Sequence, residues 1–178
     1  LLPSSGSTHG GTVVNITGEG FVSGETACLF GSITVAAHVV SPTLATCVAP
    51  AALSPPPFQI AFGITVNLQD FTLVFEGPAF DYFASPTITD VQPARGSTLG
   101  GLPVTILGHN FTVGADFFVL WADSELAVTS IAPNRAIVVA PPFAASNGSV
   151  VVRVSNNKGV DLSSSHAVFA YLSHVTLT

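Results

Sequence analysis

The sequence repeats itself once at a spacing of about ninety residues, which limits the chain to two similar small domains. Residues 6–11 read Gly-Ser-Thr-His-Gly-Gly, and residues 96–101 read Gly-Ser-Thr-Leu-Gly-Gly. Further matches follow in the same order: Val14 and Val104, Ile16 and Ile106, Phe21 and Phe111, Pro50 and Pro141, and Tyr82 and Tyr171. A fixed internal period is the signature of repeated structural units. We therefore predict one unit over residues 1–84 and a second over residues 86–172.

The ends of the chain are interpreted from the same repeat. Leu1-Leu2-Pro3 matches Val91-Gln92-Pro93, so the first strand of the first unit is expected to be truncated. Residues 173–178 resemble the entry to a unit and are expected to begin a third repeat, which predicts a longer tandem array. The connector Ala84-Ser85-Pro86 is very short, and its proline restricts the backbone. We expect a fairly stiff junction between the units.

Short stretches of alternating residues predict that each unit consists of β-strands. Val150, Val152 and Val154 alternate with residues that face the other way, and residues 58–65 show the same period of two. Turn sequences rich in glycine and asparagine separate such stretches, and no segment shows the 3.6-residue period of an amphipathic helix. About seven short strands in each unit are typical of a β-sandwich. The sequence therefore predicts an all-β chain of two tandem sandwiches.

The charged residues exclude two classes of partner. The chain has 10 Asp and Glu but only 4 Lys and Arg, and no basic residue precedes Arg95. Binding to nucleic acid or to anionic lipid requires clustered basic residues, so we expect neither. Nowhere does the chain contain the run of about 18 apolar residues that a spanning helix needs. We therefore expect no membrane insertion by this segment.

The motifs that the two units share resemble those of an IPT/TIG domain. Each unit contains Pro-x-x-Gly-Ser-Thr-x-Gly-Gly, then x-Val-x-Ile-x-Gly-x-x-Phe, and closes on Phe-x-Tyr; the first unit adds Cys28-Leu29-Phe30-Gly31. The second unit departs from this pattern, because Val119 and Val138 replace the cysteine pair and Trp121-Ala122 replaces Phe-Gly. The resemblance implies two tandem immunoglobulin-like β-sandwiches of the kind found in plexins and transcription factors.

Two settings are known for this family, and the charge pattern separates them. Some members lie beside DNA-binding domains in transcription factors, whereas others form tandem arrays in plexin-like receptors and large fibrocystin-like surface proteins. The absence of basic residues before Arg95 disfavours the first setting. The resemblance then implies an extracellular or cell-surface location in the secretory pathway.

The two cysteines are expected to lie on neighbouring strands of the first unit. Extracellular members of the family resemble this arrangement, which implies a disulfide between Cys28 and Cys47. Closing a loop of about 20 residues stabilises a fold by roughly 3 kcal/mol in the chain-entropy model. The alternative is a pair of buried thiols. A zinc site is not predicted, because no histidine lies at ligand spacing from the cysteines.

Three Asn-x-Ser/Thr sequences predict covalent N-linked glycans. They begin at Asn15, Asn110 and Asn147. Asn15 is expected to face solvent on the side of its strand opposite Val14 and Ile16, while Asn110 and Asn147 are expected in a loop and a turn. Chance occurrence of one such sequence is the alternative. Glycans at these positions would cover a surface that has few charged residues.

A short proline run is a further candidate for modification. Residues Ser54, Pro55, Pro56 and Pro57 favour a polyproline II conformation in a loop. This run resembles the Ser-Pro motif that is hydroxylated and O-glycosylated in surface proteins of plants and green algae. The alternative is a rigid loop that carries no modification.

No catalytic constellation is recognised, so we predict no enzyme activity, no cofactor and no metal site. His9-Gly10-Gly11 is similar to an oxyanion-hole loop, but its counterpart Leu99-Gly100-Gly101 lacks the histidine and no Gly-x-Ser-x-Gly elbow is present. Asp70, Glu76 and Asp81 do not have the spacing of a calcium-binding loop.

These observations favour a structural or adhesive segment of a large extracellular glycoprotein. It would act as a spacer and as a lateral packing module, with a cell-surface or flagellar filament as one setting. The expected partners are other copies, neighbouring repeats and other extracellular proteins. The alternatives are a ligand-binding segment of a plexin-like receptor ectodomain and an accessory sandwich of a carbohydrate-active enzyme.

Overall fold

A computed structural model describes residues 1–56, 58–73, 79–145 and 147–173. The chain forms two compact units, Leu1–Ala84 and Ser85–Thr178. Within the described residues all regular secondary structure is β, which confirms the predicted fold class. No helix capable of crossing a membrane occurs in this part of the chain.

The first unit contains ten short strands among its described residues. They are β1 (Ser5–Ser7), β2 (Val13–Thr17), β3 (Ala27–Phe30), β4 (Ile33–Ala36), β5 (His38–Ser41), β6 (Leu44–Val48), β7 (Phe58–Ile60), β8 (Phe62–Thr65), β9 (Thr72–Leu73) and β10 (Phe80–Phe83). The strands form three sheets in the orders β2-β6-β5, β4-β3-β8-β9 and β1-β10-β7. All pairs are antiparallel except β1 and β10, which run parallel.

The core of the first unit follows from the period of two. In β2 the side chains of Val14 and Ile16 are buried while their neighbours are exposed. The ring of Phe30 meets the rings of Phe62 and Phe80 edge to face, at centroid distances of 5.1 and 5.2 Å. Such edge-to-face pairs add to the gain from burial alone.

The second unit contains nine strands among its described residues. They are β11 (Thr87–Gln92), β12 (Arg95–Ser97), β13 (Pro103–His109), β14 (Phe118–Trp121), β15 (Ser124–Leu126), β16 (Val128–Ala132), β17 (Arg135–Val139), β18 (Gly148–Ser155) and β19 (Ala167–Leu172). They form two sheets in the orders β11-β13-β17-β16 and β12-β19-β18-β14-β15. Val150, Val152 and Val154 of β18 are buried, as the alternation predicts. Trp121 and Phe169 are both buried in the core, with ring centroids 4.8 Å apart.

The alternation over residues 58–65 does not form one strand. The chain breaks at Ala61, so that β7 pairs with β10 and β8 pairs with β3. In the second unit the equivalent strand, β18, is continuous and pairs with both β14 and β19. Residues 58–65 and β18 show the same period of two because alternation depends on the extended backbone of a strand. It does not depend on which strand lies beside it. The break at Ala61 adds a strand to the first unit, and a break at Ala127 between β15 and β16 adds one to the second, so both units exceed the seven strands expected.

The glycine pairs of the repeated motif form equivalent turns. Gly10 and Gly100 have φ values of 74° and 72°, in the left-handed region that glycine adopts without strain. A Cβ atom on either residue would lie 2.6 Å from the backbone of the segment that follows β6 or β17, at Ala51 for Gly10 and at Pro141 for Gly100. The motif is therefore required by the fold, and His9 sits in a structural turn, where its Nδ1 lies 3.2 Å from the hydroxyl of Ser7.

Candidate functional site

The three glycosylation candidates all have exposed side chains. Asn15 lies in the middle of β2 and points away from the core. Asn110 directly follows β13 with a φ of 60°, and its side-chain amide donates a hydrogen bond to the carbonyl of Ser85 at 3.2 Å. Asn147 directly precedes β18. Each acceptor amide is therefore at the surface, which glycosylation requires.

The proline run lies in the loop between β6 and β7. Ser54 and Pro55 are exposed, Pro56 is half-buried, and Pro57 lies outside the described residues. A surface cavity of about 200 Å³ adjoins this loop and is lined in part by Leu53, Phe58 and Tyr82. The exposure of Ser54 is compatible with modification.

Cys28 and Cys47 form a disulfide. The expectation that they lie on neighbouring strands is wrong, because β3 and β6 belong to different sheets. The bond instead links the two layers of the sandwich through the core, where both cysteines are buried. This geometry arises because inward side chains of facing strands, and not of paired strands, meet in the interior. In the second unit Val119 and Val138 are also completely buried.

A tyrosine in each unit makes a hydrogen bond that the sequence did not predict. The hydroxyl of Tyr82 donates to the carbonyl of Pro50, and that of Tyr171 donates to the carbonyl of Pro141, both at 2.7 Å. The indole Nε1 of Trp121 donates to the Tyr171 hydroxyl at 3.0 Å. The signal was available, since an Ala-Pro pair (Ala49-Pro50 and Ala140-Pro141) and a closing Phe-x-Tyr recur together in both units.

Burial sets the ionisation of these two tyrosines. It raises the pKa of Tyr82 above its usual value, because the charged phenolate is poorly solvated inside the fold. Burial also raises the pKa of Tyr171, although the hydrogen bond from Trp121 opposes the change. Both hydroxyls therefore remain protonated donors at neutral pH.

The outer face of the β2-β6-β5 sheet carries no Asp, Glu, Lys or Arg, and its polar side chains include those of Asn15, Thr46 and His38. Across β2 and β6, Val13 pairs with Val48 and Asn15 pairs with Thr46, while Thr17 pairs with Leu44. Val13 and Val48 are about half exposed, at 49% and 53%. Asn15, in the middle of β2, is the glycosylation candidate on this face.

The corresponding face of the second unit differs in charge. On the β11-β13-β17-β16 sheet, Leu107 is paired with Asp90 on one side and with Arg135 on the other. Both charged side chains are exposed. The uncharged outer face is thus a property of the first unit and not of the repeat.

The acidic residues considered for calcium do not form a cluster in the described part of the chain. The carboxylate of Asp70 accepts a hydrogen bond from Asn67, and that of Asp81 accepts one from Gln59, each at 3.0 Å. Glu76 lies outside the described residues. Among described residues, no group of three or more His, Cys, Asp or Glu side chains is placed to hold a metal ion.

Comparisons with known proteins identify both units. The family model described as IPT/TIG domain matches residues 1–82 and again residues 86–171. Plexin-A3 of Homo sapiens is 25% identical over 185 residues, which cover 100% of this chain but 10% of plexin-A3. The chain thus spans about a tenth of this relative.

A solved plexin structure shows the same fold. The full extracellular region of plexin A4, domains 1 to 10, matches with a TM-score of 0.55 at 20% identity, covering 97% of this chain and 15% of that one. The surface glycan-binding protein PbSGBP-B from Prevotella bryantii matches with a TM-score of 0.40 at 15% identity, covering 94% of this chain and 38% of that one. The second likeness is too distant to support an argument about ligands.

Proposed function

The chain belongs to the IPT/TIG domain family, and from this membership we propose that it is a non-catalytic structural and adhesive segment of a large extracellular protein. The observation that carries the proposal is the tandem order of two family units that together occupy almost the whole chain. In this role the units hold neighbouring domains apart and pack laterally against other copies, neighbouring repeats or other extracellular proteins.

The extracellular location is supported by two independent features. Disulfides persist in oxidising compartments, and Cys28 and Cys47 are joined by one. The similarity to plexin-A3 over the full length of this chain supports the same compartment. The three exposed sequons are consistent with passage through the secretory pathway, where N-linked glycans are added.

Lateral packing is supported by the uncharged outer face of the first unit. Covering exposed apolar residues such as Val13 and Val48 with another surface lowers the free energy, because their side chains leave water. This face carries no Asp, Glu, Lys or Arg that would have to lose its hydration in the process, so the large desolvation cost of a carboxylate, ammonium or guanidinium group is avoided. A filament on a cell surface is one assembly that such packing would build, but nothing in the comparisons favours a flagellum or cilium.

A ligand-binding segment of a plexin-like receptor is the second candidate. The similarity to plexin-A3 favours it. In this case the chain would remain monomeric and would bind a different extracellular protein. An accessory sandwich of a carbohydrate-active enzyme has less support, because the likeness to the glycan-binding protein is distant.

We expect N-linked glycans on the chain when it is produced through a secretory pathway. The intact mass should exceed the mass of the sequence, and treatment with a peptide N-glycosidase should remove the excess. Single substitutions Asn15→Gln, Asn110→Gln and Asn147→Gln should each remove the contribution of an occupied site. A secreted protein with only the unmodified mass would contradict the prediction.

We also expect the chain to self-associate when glycans do not cover it. Carrying all three Asn→Gln substitutions, it should show a weight-average mass in sedimentation that rises with concentration. Added salt should weaken this association little, because few charges are involved. A strictly monomeric chain at high concentration would refute lateral packing and leave the receptor-like role as the better proposal.

A further inference from the structure

The edge strands of a β-sheet expose backbone N–H and C=O groups that can pair with another strand. In the described residues, most edge strands of four or more residues carry a feature that discourages such pairing. β5, β11 and β16 each contain a register shift of the β-bulge type, at Val39/Ser41, Ile88/Asp90 and Val128/Ser130. β2 is covered by a bridge from Leu2 to Asn15. Bulges and covering segments are known means of protecting an edge.

β4 (Ile33–Ala36) carries none of these features. It is the terminal strand of the β4-β3-β8-β9 sheet and pairs in an unbroken register with β3. Its four residues are Ile, Thr, Val and Ala, so it has no charge, no proline and no glycine. Because alternate residues of an antiparallel strand direct their N–H and C=O groups away from the partner, β4 offers backbone donors and acceptors to solvent.

The second unit shows what a protected version of this edge contains. Its equivalent strand, β15, carries Glu125, which pairs with Leu120 across β14. Thr34 stands at the matching position of β4, where it pairs with Leu29 across β3. Both side chains are exposed. A charged residue on an edge strand opposes pairing with another chain. The second unit has such a residue in Glu125, whereas the first unit has the uncharged Thr34 at the matching position.

We propose that β4 is a docking edge at which β4 of a second copy of this chain adds as an antiparallel strand. The two copies would be related by a two-fold axis, and each would contribute the same strand to a continuous sheet. This proposal rests on the self-association proposed above, and it places a contact at the β4 edge in addition to the outer face of the β2-β6-β5 sheet.

The charge of the chain favours a second copy as the occupant. Residues 26–69, which include β4, contain no charged side chain although the whole chain has a net charge of −6. An acidic or basic partner strand would find no opposite charge at this edge. A second β4 brings no charge of its own, so the least charged parts of two acidic molecules meet. Main-chain hydrogen bonds then supply the attraction, as in other cases of strand addition.

The test uses charge at Thr34 in the full chain that lacks its three sequons. The variants Thr34→Glu and Thr34→Lys are each expected to self-associate at least about tenfold more weakly than the parent in sedimentation, because two-fold pairing brings like charges close together on the two β4 strands. An equimolar mixture of the two is expected to regain association. A glutamate on one β4 and a lysine on the other attract each other when they lie directly or diagonally opposite across paired strands. A variant that was merely misfolded would not be rescued by mixing.

Thr105→Glu provides the matched control. Thr105 lies on β13, an interior strand of its sheet, so this variant adds the same charge away from any edge. It should associate as strongly as the parent. Circular dichroism should show that all variants keep the β fold, and hydrogen exchange should show slower exchange in residues 33–36 of the associated parent.

The outcomes separate this inference from the proposed function. If the parent associates and neither Thr34 variant weakens it, docking at β4 is wrong, although lateral packing through another surface stands. If both single variants are weak and their mixture is equally weak, antiparallel pairing of β4 with itself is also wrong. If the parent never associates, both the inference and the proposed lateral packing fail.

Discussion

Replacing Cys28 and Cys47 together by valine is expected to lower the free energy of unfolding of the first unit by about 3 kcal/mol. The two residues are 19 positions apart, so their disulfide closes a loop of intermediate length. In the chain-entropy model, the bond stabilises the fold mainly by restricting the unfolded chain. For a domain of this size, 3 kcal/mol corresponds to a decrease of about 12–24 °C in Tm.

Valine is the matched substitution because the second unit already uses it. Val119 and Val138 occupy the equivalent positions and are completely buried. The double variant therefore keeps an apolar side chain at each site, and the measured loss reports the bond more than an empty cavity. A single Cys→Val variant would leave a free buried thiol and is a less direct comparison.

The single tryptophan of the chain gives a control within the same molecule. Trp121 lies in the core of the second unit, so its fluorescence follows the unfolding of that unit. Circular dichroism follows both units. In the double variant, the transition of the first unit should move to lower temperature while the fluorescence transition stays in place. An unchanged first transition would show that the disulfide contributes little to stability.

The fold could be predicted because it follows from local and repeated signals. The repeat divides the chain, and the alternation of Val150, Val152 and Val154 identifies a half-buried strand whatever its neighbours are. These features depend on residues that are close in sequence. The Gly-Gly turns were found for the same reason, since both copies of the motif need the same backbone conformation.

The missed features all depend on which strands meet in space. The sequence placed Cys28 and Cys47 on neighbouring strands, whereas the structure places them on facing sheets. It showed the Ala-Pro and Phe-x-Tyr motifs without showing that the tyrosine hydroxyl reaches the proline carbonyl. The contrast between Thr34 and Glu125 acquires a meaning only when β4 and β15 are known to be edge strands. Periodicity reports which way a side chain points, but not what it faces.

The substitution Tyr171→Phe is expected to destabilise the second unit by about 2–3 kcal/mol, because a buried polar group that loses its partner costs about 1–3 kcal/mol. The change removes two hydrogen bonds at once. The carbonyl of Pro141 loses its donor, and the Nε1–H of Trp121 loses its acceptor. Trp121 is only 2% exposed, so water replaces that acceptor poorly. Thermal unfolding followed by circular dichroism measures the loss.

Tyr82→Phe in the first unit is the matched control. The Tyr82 hydroxyl has the same bond to a proline carbonyl, and the position equivalent to Trp121 is Phe30, which has no donor. The stability lost in Tyr82→Phe should therefore be smaller, about 1 kcal/mol for a single hydrogen bond. Equal losses in the two variants would show that the indole bond contributes nothing.

A double-mutant cycle isolates the bond between the indole and the hydroxyl. Trp121→Phe and Tyr171→Phe are made separately and together, and the difference from additivity gives the interaction energy of the pair. We expect a coupling of about 1 kcal/mol, since once either partner is gone the bond between the indole and the hydroxyl cannot be lost a second time. In the Tyr171→Phe single variant, the emission of Trp121 should also shift to shorter wavelength, because the indole N–H has lost its acceptor. Additive losses together with unchanged emission would mean that Tyr171 stabilises the unit through the Pro141 carbonyl alone, and the greater cost expected relative to Tyr82 would then have no physical basis.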